Sequence, residues 1–165
     1  MSSNIIIRVG DLDATNTPGG ILKTFALGSC VALMILDPAQ KCISMAHVAL
    51  PESSISPSKA ATLPGYFADT AVPALLTRMR QVTNNSLSRN QRLIVKLCGG
   101  ASISDSNNTF NIGKRNTLAL KKALWKENLT VKAEDTGKRF SRTVTLEQST
   151  GIAHIKSPGK KDWKL

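Results

Sequence analysis

The 165 residues suit one domain spanning residues 1–165, large enough to bury a core without staples, and three cysteines at irregular spacings give neither a disulfide framework nor a zinc pattern. Aromatic residues are only 4% of the chain, so the interior is expected to be aliphatic and little material remains for base-stacking platforms; with no helix-turn-helix or zinc-finger spacing, nucleic acid is disfavoured as the partner of the +11 net charge, which either attracts acidic partners or serves solubility alone. No apolar run nears membrane-spanning length, and MSSNIIIRVG lacks the basic start and long apolar region of a signal peptide, so a cytoplasmic protein without membrane insertion is expected.

In chain order, Ile5 to Val9 is a short apolar run that predicts a first strand, followed by a polar loop from Gly10 to Gly20 that holds Asp11 and Asp13. Either carboxylate is of a type able to orient His47, but nothing in the sequence brings them near it. After the Gly28-Ser29 break, Val31 to Leu36 and Lys41 to Val48 read as two strands around the turn cluster Asp37-Pro38-Ala39-Gln40. Pro38 suits position i+1 of a type I turn and excludes the primed two-residue turns, which favours a four-residue loop. That loop pairs Leu36 with Lys41, Met34 with Ile43, Ala32 with Met45 and Cys30 with His47. A three-residue loop or a bulge would instead send Cys30 and His47 to opposite faces.

Leu50 to Gly65, rich in Ser and Pro, predicts a long loop, and Asp69 or Thr70 is placed to cap a helix from about Ala71 to Val82 with Pro73 in its first turn. Val72, Leu75, Leu76 and Met79 recur at helical spacing as a buried stripe. Leu93 to Cys98 predicts a buried strand halted by Gly99-Gly100; both GxGxxG and GxxxxGK[ST] are absent, so the glycines point to tight packing or a loop near a site, with no phosphate cradle and no cofactor. A polar loop, a second helix from Lys114 to Lys126 and strands at Leu129 to Ala133, Thr143 to Glu147 and Ile152 to Ile155 complete an α+β domain of layered sheets and helices.

The Cys30 and His47 juxtaposition matters because a neighbouring base or cation turns a thiol into a nucleophile, and the same base returns a proton to the leaving group. Gly28 allows close backbone approach, and the amides around Ser29 and Cys30 are candidates for an oxyanion pocket. The alternative is that Cys30 is a small buried hydrophobe. His154, alternating with apolar neighbours, reads as a strand residue and a weaker candidate base.

The string LGSCV, an apolar run, Asp37 and then AHVALP resembles the signature of CheD, the chemoreceptor glutamine deamidase family of bacterial and archaeal chemotaxis. Further blocks resemble the family in order and spacing: YFADTAVPALL, LIVKLCGGAS, IGKRN and GIAHIKSP. The segment DTGKRFSRTV departs from a glycine pair and Gly-Arg usual there, which leaves the shape of that loop open. The resemblance implies a mostly antiparallel layered α/β sandwich with two main helices, related to toxin-type cysteine deamidases. It implies Cys30, His47 and Thr24 as the catalytic set. It also implies a chemoreceptor cytoplasmic domain as protein substrate and a CheC-type phosphatase as partner. Methylesterase action on receptor glutamyl esters is a further possibility of the same chemistry, and a non-catalytic regulator of the phosphatase is the rival from another class.

Overall fold

The computed structural model describes residues 3–103 and 110–165. Ten strands form two five-stranded sheets. The first contains β1 (Asn4–Ile6), β3 (Ile21–Leu27), β8 (Arg142–Glu147), β9 (Ala153–Lys156) and β10 (Trp163–Lys164) in that spatial order; the second contains β2 (Leu12–Thr15), β5 (Cys42–Val48), β4 (Val31–Asp37), β6 (Ile94–Gly99) and β7 (Val131–Thr136). Only β1 with β3 and β6 with β7 pair in parallel, and the other neighbours are antiparallel. Three helices accompany them: α1 (Pro57–Thr62), α2 (Ala68–Val82) and α3 (Ile112–Lys126). The expected α+β layered sandwich, mostly antiparallel with two main helices, is the observed fold.

Two apolar cores define its layers. Leu22, Leu27, Val144, Leu146 and Ile155 of the first sheet meet Ala32, Met34, Ile43 and Met45 of the second, while the other face of the second sheet packs Leu33, Ile35, Ala46, Val48, Val95 and Leu97 against the Leu75, Leu76, Met79, Leu120 and Leu124 stripes of α2 and α3. Every residue of β4 and β5 is buried, since both faces of these strands are covered, and this is why their sequences run apolar without alternation.

Several boundaries depart from expectation. The turn residues are Pro38 to Lys41, with Lys41 in the left-handed region (φ 50°), and Asp37 pairs with Cys42. Asp37 is drawn into the strand because its buried carboxylate accepts hydrogen bonds from the Ser88 amide and hydroxyl, both at 2.8 Å. Moving the loop by one residue moves every pair by two, so His47 lies opposite Ala32 in place of Cys30. The expected polar loop from Gly10 to Gly20 contains β2, held at the sheet edge by β5 and by the Arg78–Asp13 ion pair at 2.8 Å. The Leu50–Gly65 stretch includes α1. Helix α2 begins at Ala68, so Pro73 falls beyond the first turn, and Asp69 caps nothing: its carboxylate accepts from the Ser53 amide (2.9 Å) and hydroxyl (2.7 Å). The polar loop expected before α3 lies in part outside the described residues.

Candidate functional site

The site lies where the two sheets meet at the start of β4. Directly opposite residues of an antiparallel pair share a face, so His47 projects with Ala32 into the layer between the sheets, and Cys30, two residues before Ala32, packs against the same core. Cys30 and His47 are therefore diagonal neighbours. Such positions stand about 7–8 Å apart at the backbone, still within reach of an imidazole. The two-residue change of register preserves the shared face that the sequence led one to expect.

Thr24 approaches from the other sheet. Between Thr24 and Leu27 the pairing of β3 with β8 slips, with Thr24 opposite Val144 and Leu27 opposite Arg142, so β3 carries an extra residue at a β-bulge where Ala26 adopts a φ of 52°. The bulge lets Thr24 and Leu27, three apart, both face inward, while Phe25 and Ala26 are exposed. Thr24 is fully buried; its Oγ1 donates to the Ile7 carbonyl at 2.6 Å and lies 2.7 Å from Nδ1 of His47. A hydroxyl has one proton, and a carbonyl can only accept. With that proton spent on Ile7, the short contact to His47 requires Nδ1–H to donate to Thr24. The neutral imidazole thus carries its free lone pair on Nε2, which is buried and has no hydrogen-bond partner among the described residues.

Burial sets the electrostatics. It pushes the Cys30 thiol above its usual value, opposed by a hydrogen bond from the residue's own amide, and it pulls His47 below its usual value, opposed by the Asp11 charge and by a hydrogen bond to Ile7. Both shifts favour the uncharged forms, a thiol and a neutral imidazole. The fold supplies the proximity that the sequence does not show: β2 lies beside β5, and the His47 amide donates to the Asp11 carbonyl at 3.1 Å. Asp13 is instead bound to Arg78.

The Gly28-Ser29-Cys30 loop is anchored through its carbonyls. Gly28 accepts from the Ala101 amide, Cys30 accepts from the Gly100 amide, both at 2.8 Å, and Ser29 accepts from Nδ2 of Asn116 at 3.0 Å. The Ser29 and Cys30 amides have no backbone acceptor outside their own residues among the described residues, so the loop presents N–H groups beside the thiol. Gly99 (φ 119°) makes the close approach possible: a Cβ there would stand 2.3 Å from the Cys30 carbonyl oxygen. The glycine pair expected to serve packing or a site loop does both.

Arg142 is fully buried behind this loop, donating from Nη1 to the Gly99 (3.3 Å) and Gly137 (3.1 Å) carbonyls and paired with Asp135 at 3.3 Å. That is the shape taken by the departing DTGKRFSRTV segment. His154 sits on β9, with Nε2 3.1 Å from Glu147. Cys42 and Cys98 are buried thiols pushed up to about 11 and about 12, chiefly by burial. No helix among the described residues is long and apolar enough to cross a membrane.

Comparison with known proteins gives a consistent relationship. Residues 49–157 match the family model described as CheD chemotactic sensory transduction, a match that begins just past His47. Full-length relatives cover the rest. The chain is 45% identical over 163 residues, 99% of each chain, to a protein of Syntrophotalea carbinolica named probable chemoreceptor glutamine deamidase CheD. It is 42% identical to a similarly named protein of Syntrophus aciditrophicus over 94% of this chain and 95% of that one, and 39% identical to one from Methanococcus vannielii over 91% and 92%.

Proposed function

The chain belongs to the CheD family, and on that footing we propose that it is a chemoreceptor glutamine deamidase acting in chemotaxis by a thiol mechanism on Cys30 and His47. The observation that carries the mechanism is the proton arithmetic at Thr24, which leaves Nε2 of His47 as a free base on the sheet face shared with Cys30.

In this reading Nε2 takes the proton from Sγ as sulfur attacks the carboxamide carbon of a glutamine side chain, and the amides of Ser29 and Cys30, next to Gly28, receive the developing oxyanion. The imidazolium then gives its proton to the departing nitrogen, which leaves as ammonia. Water, deprotonated by the same Nε2, attacks the thioester, and glutamate and the free thiol are released. A neutral resting pair suits this sequence: the proton moves only when substrate fills the site. Thr24 holds the imidazole in the required tautomer without a charge of its own.

The positive surface favours the acidic cytoplasmic helices of a receptor, and the whole of residues 1–165 is read as one cytoplasmic CheD-like domain, with a CheC-type phosphatase as the partner that family membership implies. The test is incubation of a chemoreceptor cytoplasmic fragment with the protein and with Cys30→Ala, followed by peptide mass spectrometry for conversion of glutamine to glutamate. Conversion is expected with the first and not with the second. Equal conversion by both rejects the mechanism, and none by either favours a purely regulatory protein.

A further inference from the structure

Helix α3 begins unusually close to the nucleophile loop. A Cβ on Gly113 would stand 2.4 Å from the Gly100 carbonyl oxygen, and one on Gly100 (φ 62°) would meet Thr117 Oγ1 at 2.6 Å and the Gly113 carbonyl at 2.9 Å. Two glycines thus let the first turn of α3 lie directly on the loop that follows β6, the same loop whose Gly100 amide holds the Cys30 carbonyl. One turn along the helix this brings Asn116, fully buried, to the chain on both sides of the site. Its Nδ2 donates to the Ser29 carbonyl and to the Ala49 carbonyl, each at 3.0 Å. Both partners are acceptors only, so the amide orientation is fixed by chemistry: NH2 faces the two carbonyls, and Oδ1 is left buried without a partner among the described residues.

The geometry points to Asn116 as a positioning residue for the reaction, clamping the Ser29–Cys30 peptide so that the Cys30 amide faces the oxyanion while tying that peptide to the strand end that carries His47. The peptide unit is planar and trans, so its carbonyl and N–H point in opposite directions. Holding the Ser29 oxygen toward α3 therefore turns the Cys30 N–H away from the helix, toward the side where its own sulfur lies. The second bond, to Ala49, reaches the chain two residues after His47. One side chain thereby couples the orientation of the oxyanion donor to the position of the base, and neither bond involves substrate. The ground-state substrate has little need of this donor, whereas the tetrahedral intermediate has full need of it.

This inference rests on the proposed deamidase chemistry, and the variants separate the two. Asn116→Asp keeps the shape but sets carboxylate oxygens against two carbonyl oxygens, and Asn116→Ser keeps one donor on a shorter arm. Rates of glutamine conversion on the receptor fragment are normalised to folded protein. The expected result for Asn116→Asp is a kcat at least about tenfold lower, with KM changed less than about twofold, because losing an oxyanion donor outright costs about 10²–10³-fold. Asn116→Ser should lose less than Asn116→Asp; should Asn116→Asp not fold, Asn116→Ser is held to the same kcat-selective criterion against wild type. The Cys30 amide cross-peak of ¹⁵N-labelled protein should shift in either variant. A kcat per folded molecule within twofold of wild type, or a loss confined to KM, overturns the clamp. An unmoved Cys30 cross-peak overturns it as well, even if the wild-type protein converts no glutamine and the deamidase proposal itself falls.

Discussion

Replacing Thr24 with valine removes the oxygen that donates to the Ile7 carbonyl at 2.6 Å and stands 2.7 Å from His47 Nδ1, leaving the Nδ1–H and the Ile7 carbonyl only each other. Leaving a buried polar group unsatisfied costs about 1–3 kcal/mol, and because the two remaining groups partly satisfy each other, the predicted loss is that of one such group, about 1–3 kcal/mol of stability. A domain of this size typically has about 5–15 kcal/mol, and the variant should remain folded at moderate temperature. Its urea midpoint should fall with little change in the denaturant slope. The catalytic effect is separate. Thr24 favours the Nδ1–H tautomer by one hydrogen bond, worth about 0.5–1.5 kcal/mol net, which is about a two- to tenfold bias at about 1.4 kcal/mol per decade. Loss of ring orientation adds to this, with general-base catalysis as a whole, about 10²–10⁴-fold, as the ceiling. Thr24→Val is therefore expected to lower kcat for glutamine conversion about ten- to a hundredfold per folded molecule, and Thr24→Ser to recover most of it. A folded Thr24→Val protein with wild-type kcat would refute the tautomer argument.

Cys30 should be the single thiol that iodoacetamide modifies in the native protein, with Cys42 and Cys98 silent until urea is added, because burial holds those two near about 11 and about 12. Since burial also raises Cys30, its alkylation rate should climb with pH through a midpoint above that of a free cysteine; a rate already at plateau in neutral solution would mean a preformed ion pair and sink the neutral resting state. His47 gives a pH dependence of opposite sense to a salt-bridged histidine. Burial depresses its folded pKa below the ordinary 6.5, so between those two values the unfolded chain binds more protons than the folded one, and stability contributed above 6.5 is lost as pH falls through the folded value. The urea midpoint should drop more steeply from about pH 7 to about pH 5 in the wild-type protein than in His47→Gln, and parallel profiles would contradict this.

Local signals made the layered architecture and the hairpin legible, since apolar runs, turn residues and helical stripes are properties of short stretches. The hairpin's register was not, because it depends on Asp37 finding Ser88, fifty-one positions away. The site survived that error only because a shift of two preserves the face on which a side chain lies. Thr24 was available through family resemblance alone: its inward aim depends on a bulge at Phe25-Ala26 that no glycine or proline announces. Asp11 was hidden by β2, four residues with too little alternation to read as a strand. Asn116 was hidden differently. An asparagine within a predicted helix resembles any surface polar residue, and only the contact of Gly113 with Gly100 turns it inward.

Thr24 belongs to one sheet, Cys30 and His47 to the other, and Asn116 to the helical layer beyond. A growing polypeptide released as far as residue 100 has already made the thiol, the imidazole and the hydroxyl, yet it lacks the helix that steadies the loop and most of the strands that complete the sheet bearing Thr24. On the proposed mechanism, competence is therefore acquired late, when the last layer docks onto the sheet that carries the thiol and the imidazole.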